Sequence, residues 1–215
     1  MKIDYNKALK YMGVEKLTKD LESVMQLAQK ELLKIATPRK LAMNFSTRKV
    51  DGYYLIEGAN ITLKSEDINK LFRDIEHISI IAVTLGIVVD KRIEYYARCD
   101  KLKMLVLDAL ASVYVEEIAD NFTSEVNKSF DEFYPTVRYA PGYGDLDISI
   151  QKDILNVLDA NKKLGIMLSD TFLMTPLKST TGFVGYSKKI QPQFFDCGNC
   201  KLNKCGGENC PRRLR

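Results

Sequence analysis

Residues 17–36, LTKDLESVMQLAQKELLKIA, place Leu17, Leu21, Val24, Ala28, Leu32 and Ile35 on one stripe at helical spacing. The pair Thr37-Pro38 ends that helix, because a residue before proline avoids the α region. The segment MNFSTRKVDGYYLIEG then reads as a hairpin, with Asp51-Gly52 as the turn and Tyr53–Ile56 as a strand. Ser65 with the acids after it predicts the N-cap and acidic first turn of a short helix. The β-branched run at 77–86, HISIIAVTLG, predicts a strand buried on both faces that turns at Gly86 into a helix over 87–98.

A long helix follows over 101–130. Its first half, LKMLVLDALASVYV, is apolar nearly all round and is expected to be buried. Asp108 interrupts it and Glu116-Glu117 follow it, and an unpaired buried carboxylate is costly. A hydrogen bond or salt bridge from a neighbouring element is therefore expected at Asp108. Residues 137–151, VRYAPGYGDLDISIQ, suit neither regular state: Pro141 cannot donate to a ladder, and Pro141 with Gly142 opposes a helix. This is a shaped loop, of the kind that holds ligands on rigid scaffolds. A helix over 149–164 and strands at TFLM and TGFVGY complete the pattern. Helices and strands mix without βαβ repetition, so the expected class is α+β: one mixed domain with an antiparallel sheet and long helices over 1–190, and a short Cys-rich tail over 191–215.

Composition narrows the function classes. Among 215 residues, 32 basic ones are scattered among 28 acidic ones, which gives a net charge of +4 and no basic stripe. That makes nucleic acid an unlikely partner. No apolar run reaches the roughly 18–20 residues of a membrane span, and the N-terminus lacks a signal peptide's apolar segment, so the expected location is cytoplasmic. With His77 as the only histidine, a Ser–His–Asp triad has no support. The strand–Gly86–helix junction carries one glycine where a dinucleotide fingerprint needs three.

Cysteine usage is lopsided. Cys99 stands alone, while Cys197, Cys200, Cys205 and Cys210 form Cys-x2-Cys-x4-Cys-x4-Cys near the C-terminus. In a reducing compartment, four thiolates within 14 residues suggest a metal before disulfides. Structural zinc and an iron–sulfur cluster both remain open, because the spacing matches neither a two-knuckle zinc ribbon nor a standard ferredoxin run, and the alternative to both is a disordered, reduced tail. An iron–sulfur centre here could relay an electron. The terminal Arg212-Arg213-x-Arg215 reads as a solvated end.

Three pieces occur in a telling order: Arg138-x-Ala140-Pro141-Gly142-Tyr143, then Leu168-Ser169, then Met174-x-Pro176-x-Lys178-Ser179-x-x-Gly182. Together they resemble the activation (reactivation) domain of cobalamin-dependent methionine synthase, whose signature is an Arg-x-Ala-Pro-Gly-Tyr loop, a Leu-x-x-Ser segment and a Met-x-Pro-x-x-Ser strand. The match spans at least 77–186. The resemblance implies an S-adenosylmethionine-binding subunit of cobalamin-dependent methionine synthase, a methyltransferase system of methionine biosynthesis. It would support reductive methylation of cob(II)alamin, with an electron donor such as flavodoxin or ferredoxin, while positioning and electrostatics remain the protein's share.

The same resemblance implies site residues. Arg138 would bind the methionyl end of the ligand, Ala140 and Gly142 would let the backbone approach it, and Tyr143 would face the sulfonium. Asp4 would be a further ligand contact, and Glu116 and Glu132 match functional glutamates. The otherwise expected role of Arg138 is a loop-bracing salt bridge. The sequence departs from the family in lacking an Asp-x-His-x-x-Gly motif, so cobalamin is expected on a separate corrinoid-binding methionine synthase protein. The family's paired tyrosines also lack a clean counterpart, with Tyr186, Phe194 and Phe195 the candidates for the adenosine side. The competing readings are a non-enzymatic, metal-stabilised module binding protein or nucleic acid, and a free-standing methyltransferase, which would lack its usual glycine-rich strand–loop–helix.

Overall fold

The computed structural model describes residues 3–191. Helix α1 (Tyr5–Met12) is capped by Asp4, whose carboxylate accepts from the Asn6 and Lys7 amides, and it stops at Gly13 in the left-handed region. Helix α2 (Lys19–Ile35) starts at Thr18 and buries Met25, Ala28 and Leu32, the middle of the stripe read from sequence. Leu17, expected on that stripe, lies before the helix and is exposed.

Strand β1 (Arg39–Val50) turns through Asp51 (φ 50°) and Gly52 (φ 84°) into β2 (Tyr53–Ile56), with Val50 opposite Tyr53. Two left-handed residues are what a two-residue hairpin needs to match strand twist. Strand β3 (Ile61–Leu63) adds to β2, and α3 (Glu66–Leu71) begins at Ser65, whose hydroxyl accepts from the Ile68 amide. Strand β4 (His77–Thr84) pairs with the first half of β1 and leads through Gly86 to α4 (Ile87–Cys99). Helix α5 (Lys101–Asn127) continues into a 3-10 turn, Lys128–Phe130. Strand β5 (Tyr134–Pro135), helices α6 (Ile150–Val157) and α7 (Ala160–Leu164), strands β6 (Met167–Leu168) and β7 (Met174–Thr175) and strand β8 (Ser179–Ser187) follow.

The main sheet runs β3-β2-β1-β4-β8-β5 and its strand pairs are antiparallel. Alternate residues of β4 feed two cores. Ile78, Ile80 and Ala82 pack with α3, α6 and α7, while Val83 packs with α1, α2, α4 and α5. Helices on both faces explain why β4 is a continuous apolar run rather than an alternating one. The α+β class read from sequence is the observed one.

Three expectations need correction. The helix expected over 149–164 is two, because Asp159 takes a left-handed φ of 50° between α6 and α7. TFLM is not a strand; Phe172 has a positive φ in a turn, and only Met174–Thr175 pair with β6. The start of α5 is not buried: Leu102 and Leu105 are exposed, and burial begins at Val106. Cys197, Cys200, Cys205 and Cys210, with Phe194 and Phe195, lie outside the described residues.

Tyr186 is fully buried, stacks on Phe130 at a centroid distance of 3.8 Å, and bonds Ser79 Oγ (3.1 Å) and Asn127 Oδ1 (2.9 Å) through its hydroxyl. It is therefore a core residue and not an open face for adenosine. Burial pushes its phenol up to about 12. An acid whose pKa rises on folding stabilises the fold below the unfolded value, near 10, and loses that contribution as pH rises through the folded one. Tyr186→Phe should cost about 1–3 kcal/mol at neutral pH, because Ser79 and Asn127 lose a buried partner. It should also flatten the loss of stability between pH 10 and pH 12, and denaturant melts across that range check both effects.

Candidate functional site

The loop after β5 reaches its place through a change of register. Tyr134 and Pro135 pair with Ser187 and Tyr186, and the Thr136 amide bonds the Gly185 carbonyl. Continued in step, Arg138 would stand opposite Phe183. Instead Tyr139 takes that position, exchanging hydrogen bonds of 2.9 and 2.7 Å with Phe183. One extra residue has entered, so Val137 and Arg138 together face Val184. Such a bulge turns side chains to the other face. Tyr139 enters the apolar core beside Phe72, and Arg138 is delivered to the side covered by α5.

There Arg138 meets a stripe. Asp108, Ser112, Glu116 and Asp120 follow one another at intervals of four along α5 and share a face. Arg138 Nη2 lies 2.5 Å from Glu116 Oε2 and 3.2 Å from Asp120 Oδ1, and Nη1 donates to Thr180 Oγ1 at 3.2 Å. Farther along the stripe, Lys178 Nζ lies 2.8 Å from Asp108 Oδ1 and 2.9 Å from Ser112 Oγ. The partner expected for Asp108 is thus Lys178, although the Asp108 side chain is half exposed rather than buried. Two cations on the β8 side face three carboxylates on α5 across one polar seam. Burial opposes the charge on Arg138, but Glu116 and Asp120 outweigh it and hold its pKa above the ordinary arginine value.

Gly182 makes room for this arrangement: a Cβ there would stand 2.8 Å from Arg138 Cγ. The Pro176–Lys178 segment is fixed by the Leu177 amide, which donates to Asp90 Oδ2 of α4 at 2.5 Å. Ser179 Oγ ties the start of β8 to Thr84 and to the Pro176 carbonyl. The downstream motif is therefore a scaffold that presents Lys178 and Thr180 to α5.

The rest of the loop is anchored at its acidic end. Asp145 accepts from the Ser65 hydroxyl (2.5 Å), the Glu66 amide (2.8 Å) and the Asp67 amide (3.3 Å). Burial works against its charge, but these three donors at the start of α3 prevail and hold its pKa below the ordinary aspartate value. The Tyr139 hydroxyl donates to the Tyr143 carbonyl at 2.9 Å and the Gly142 amide to the Leu146 carbonyl at 3.0 Å. Sequence reading found Ser65 as a cap but missed its second task; the Asp-rich run after Tyr143 was the available signal.

The other residues singled out by sequence fall in different places. Ala140 is buried and Tyr143 is exposed. Asp4 caps α1 with its carboxylate and donates its amide to Glu117 Oε1 at 3.1 Å, so it reaches α5 one residue from Glu116. Glu132 is not brought to the seam. It is exposed just before β5, which pairs with the end of β8 opposite to Thr180. Among the described residues, no group of three or more His, Cys, Asp or Glu side chains could hold a metal ion.

The fold and seam together define a class: an antiparallel α+β domain with an arginine-bearing loop braced against its longest helix. A family described as the vitamin B12 dependent methionine synthase activation domain matches residues 66–207, and the chain belongs to that family. A solved crystal structure of the MetH reactivation domain bound to AdoHcy is similar to it in fold, with a TM-score of 0.68 at 18% identity, over 90% of this chain and 76% of that one. No curated protein matches the chain.

Gly144 gives a test of loop shape. Its φ is 54°, and a Cβ there would run into the Asp67 carboxylate and the Tyr139 hydroxyl. Gly144→Ala should lower the melting temperature by about 4–10 °C, as a loss of roughly 2–3 kcal/mol does in a domain of this size. Thermal denaturation against wild type measures it.

Proposed function

We propose that this chain binds S-adenosylmethionine at the Arg138 seam and presents it to cobalamin on a separate corrinoid-binding methionine synthase protein, supporting that enzyme's reactivation. The observation that carries the reading is the placement of Arg138. In a chain of the activation-domain family, the arginine of the Arg138-x-Ala140-Pro141-Gly142-Tyr143 loop sits in a polar seam instead of on open surface. AdoHcy, bound to the similar reactivation domain, is what S-adenosylmethionine becomes when its methyl group leaves.

In this reading the sulfonium supplies an activated methyl group, and the residues of this chain bind and orient it. The Arg138 guanidinium holds the methionyl carboxylate, Glu116 and Asp120 keep the guanidinium charged and aimed, and Tyr143 stands at the exposed end of the loop. Asp4 reaches α5 through its amide, which donates to Glu117 next to Glu116, and so borders the same site. Ala140 and Gly142 let the backbone approach the ligand, and Gly182 leaves room for the Arg138 side chain. Reduction of the corrinoid falls to an external donor of the flavodoxin or ferredoxin type.

Calorimetric titration of S-adenosylmethionine should show saturable binding to wild type. Arg138→Ala should abolish it and Arg138→Lys should retain part of it, with circular dichroism showing that both variants fold. Absence of binding to folded wild-type protein, alone and with the corrinoid protein added, would falsify the reading.

The four C-terminal cysteines are proposed to hold one metal centre, zinc or iron–sulfur, on the strength of their spacing and thiolate chemistry. Protein purified without oxygen should carry either about one zinc or iron with acid-labile sulfide per chain, and Cys200→Ser should lower that content. Metal-free protein from such a preparation would count against the centre.

A further inference from the structure

The amides of Leu177 and Lys178 stand between the buried Pro176 and the first ladder pair of β8, Ser179 opposite Thr84. On the β4 side the Leu85 amide already bonds the Lys178 carbonyl, at 2.9 Å. The two amides are met instead from α4. Asp90, in its first turn, accepts from the Leu177 amide through Oδ2, and the Lys178 amide helps to hold the same carboxylate. Thr180 follows two residues after Lys178, and its hydroxyl oxygen accepts from Arg138 Nη1 at 3.2 Å. Asp90 is thus joined to the guanidinium through the start of one strand.

That carboxylate is held against its own solvation. Its second oxygen, Oδ1, is buried with no hydrogen-bond partner among the described residues. A charged oxygen in that position has lost water without gaining a donor. Lys178 from the β8 side and Asp108 from α5 are the charged groups that face Asp90. Burial raises the Asp90 pKa above the ordinary aspartate value; the two amides and Lys178 oppose the rise, and Asp108 adds to it. An acid of this kind stabilises the fold below its unfolded pKa and loses that contribution as pH rises through the folded one. Folding alone therefore favours a neutral group here, while the two amides favour a charged one.

We infer that Asp90 is a positioning residue of the site. Its ionised carboxylate clasps the Leu177 and Lys178 amides, sets where β8 begins and so holds Thr180 against Arg138, which makes ligand affinity sensitive to acid. The inference rests on the S-adenosylmethionine reading above. Protonation of Asp90 leaves a neutral acceptor, and a hydrogen bond to a neutral group is about half as strong as one to a charged group. The clasp then loosens, the competent arrangement becomes a smaller fraction of the population, and apparent affinity falls with that fraction.

Amide hydrogen exchange, followed by NMR, reads the clasp without any ligand. In Asp90→Ala the Leu177 and Lys178 amides should exchange about tenfold faster than in wild type, the worth of one charge-assisted hydrogen bond, while the amides of β4 keep their protection. Asp90→Asn, which keeps an acceptor, should fall between the two and carries the test if the alanine variant does not fold. Calorimetry with S-adenosylmethionine then reads the site. Asp90→Ala should weaken binding about tenfold and Asp90→Asn less. Wild-type affinity should fall as pH is lowered from neutral through the raised Asp90 pKa, and Asp90→Asn should lack that part of the fall. The difference between the two profiles excludes the other carboxylates of the seam, and a merely structural role would lower affinity equally at every pH. Unchanged exchange at Leu177 and Lys178 in both variants, or parallel pH profiles for wild type and Asp90→Asn, overturns the assignment of Asp90 alone. Failure of wild-type protein to bind S-adenosylmethionine overturns the underlying reading and this inference with it, and shows before any variant is compared.

Discussion

A guanidinium buried under a helix has to be paired, and the structure around Arg138 is organised by that requirement. Removing one partner from a buried ion pair costs about 3–5 kcal/mol, far more than the pair itself contributes over an apolar replacement. Such pairs specify geometry more than they add stability. Here Glu116 and Asp120 fix where α5 lies over the edge of the sheet, because the two carboxylates, one helical turn apart, both have to reach the same Nη2.

The consequences spread along two elements. On the sheet side, the bulge at Val137-Arg138 shifts the register by one residue, so that Tyr139 stands opposite Phe183 and faces the apolar core while Arg138, which would otherwise take that place, faces α5. On the loop side, the chain leaves Arg138 for the start of α3, where Asp145 takes three donors. The loop is thus pinned at a cationic end and an anionic end, on opposite layers of the molecule. A backbone held in this way loses little conformational freedom when a ligand arrives, which is the usual route from a rigid scaffold to affinity.

The salt bridge expected as the alternative role for Arg138 is present, with both Glu116 and Asp120 on its Nη2. A buried cation that stays charged needs counter-charges, and Glu116 and Asp120, both more exposed than Arg138, supply them. Lys178 and Asp108 repeat the device two turns earlier on α5. Sites for ligands of mixed charge are well served by such internal pairs, because the ligand exchanges one ion pair for another instead of desolvating a bare charge.

Local rules were enough to read much of the fold from the sequence. The stripe of α2, the Asp51-Gly52 turn, the Ser65 cap, the two-sided strand at 77–84 and the long α5 all follow from periodicity, capping and turn chemistry, which act within a few residues. The sequence also marked the Arg138 loop as irregular and Asp108 as in need of a partner. It could not decide which partner, nor which way Arg138 points. Both depend on contacts 18 to 70 residues apart in the chain, and the direction of Arg138 hangs on one inserted residue that no periodicity reveals. The break at Asp159 and the failure of TFLM as a strand have the same origin, since apolar spacing there fits more than one backbone path and packing chooses between them. Local chemistry named the parts of the seam; only the folded chain brought α5, the bulged loop and β8 together, because charge pairing across a buried interface is a property of tertiary packing.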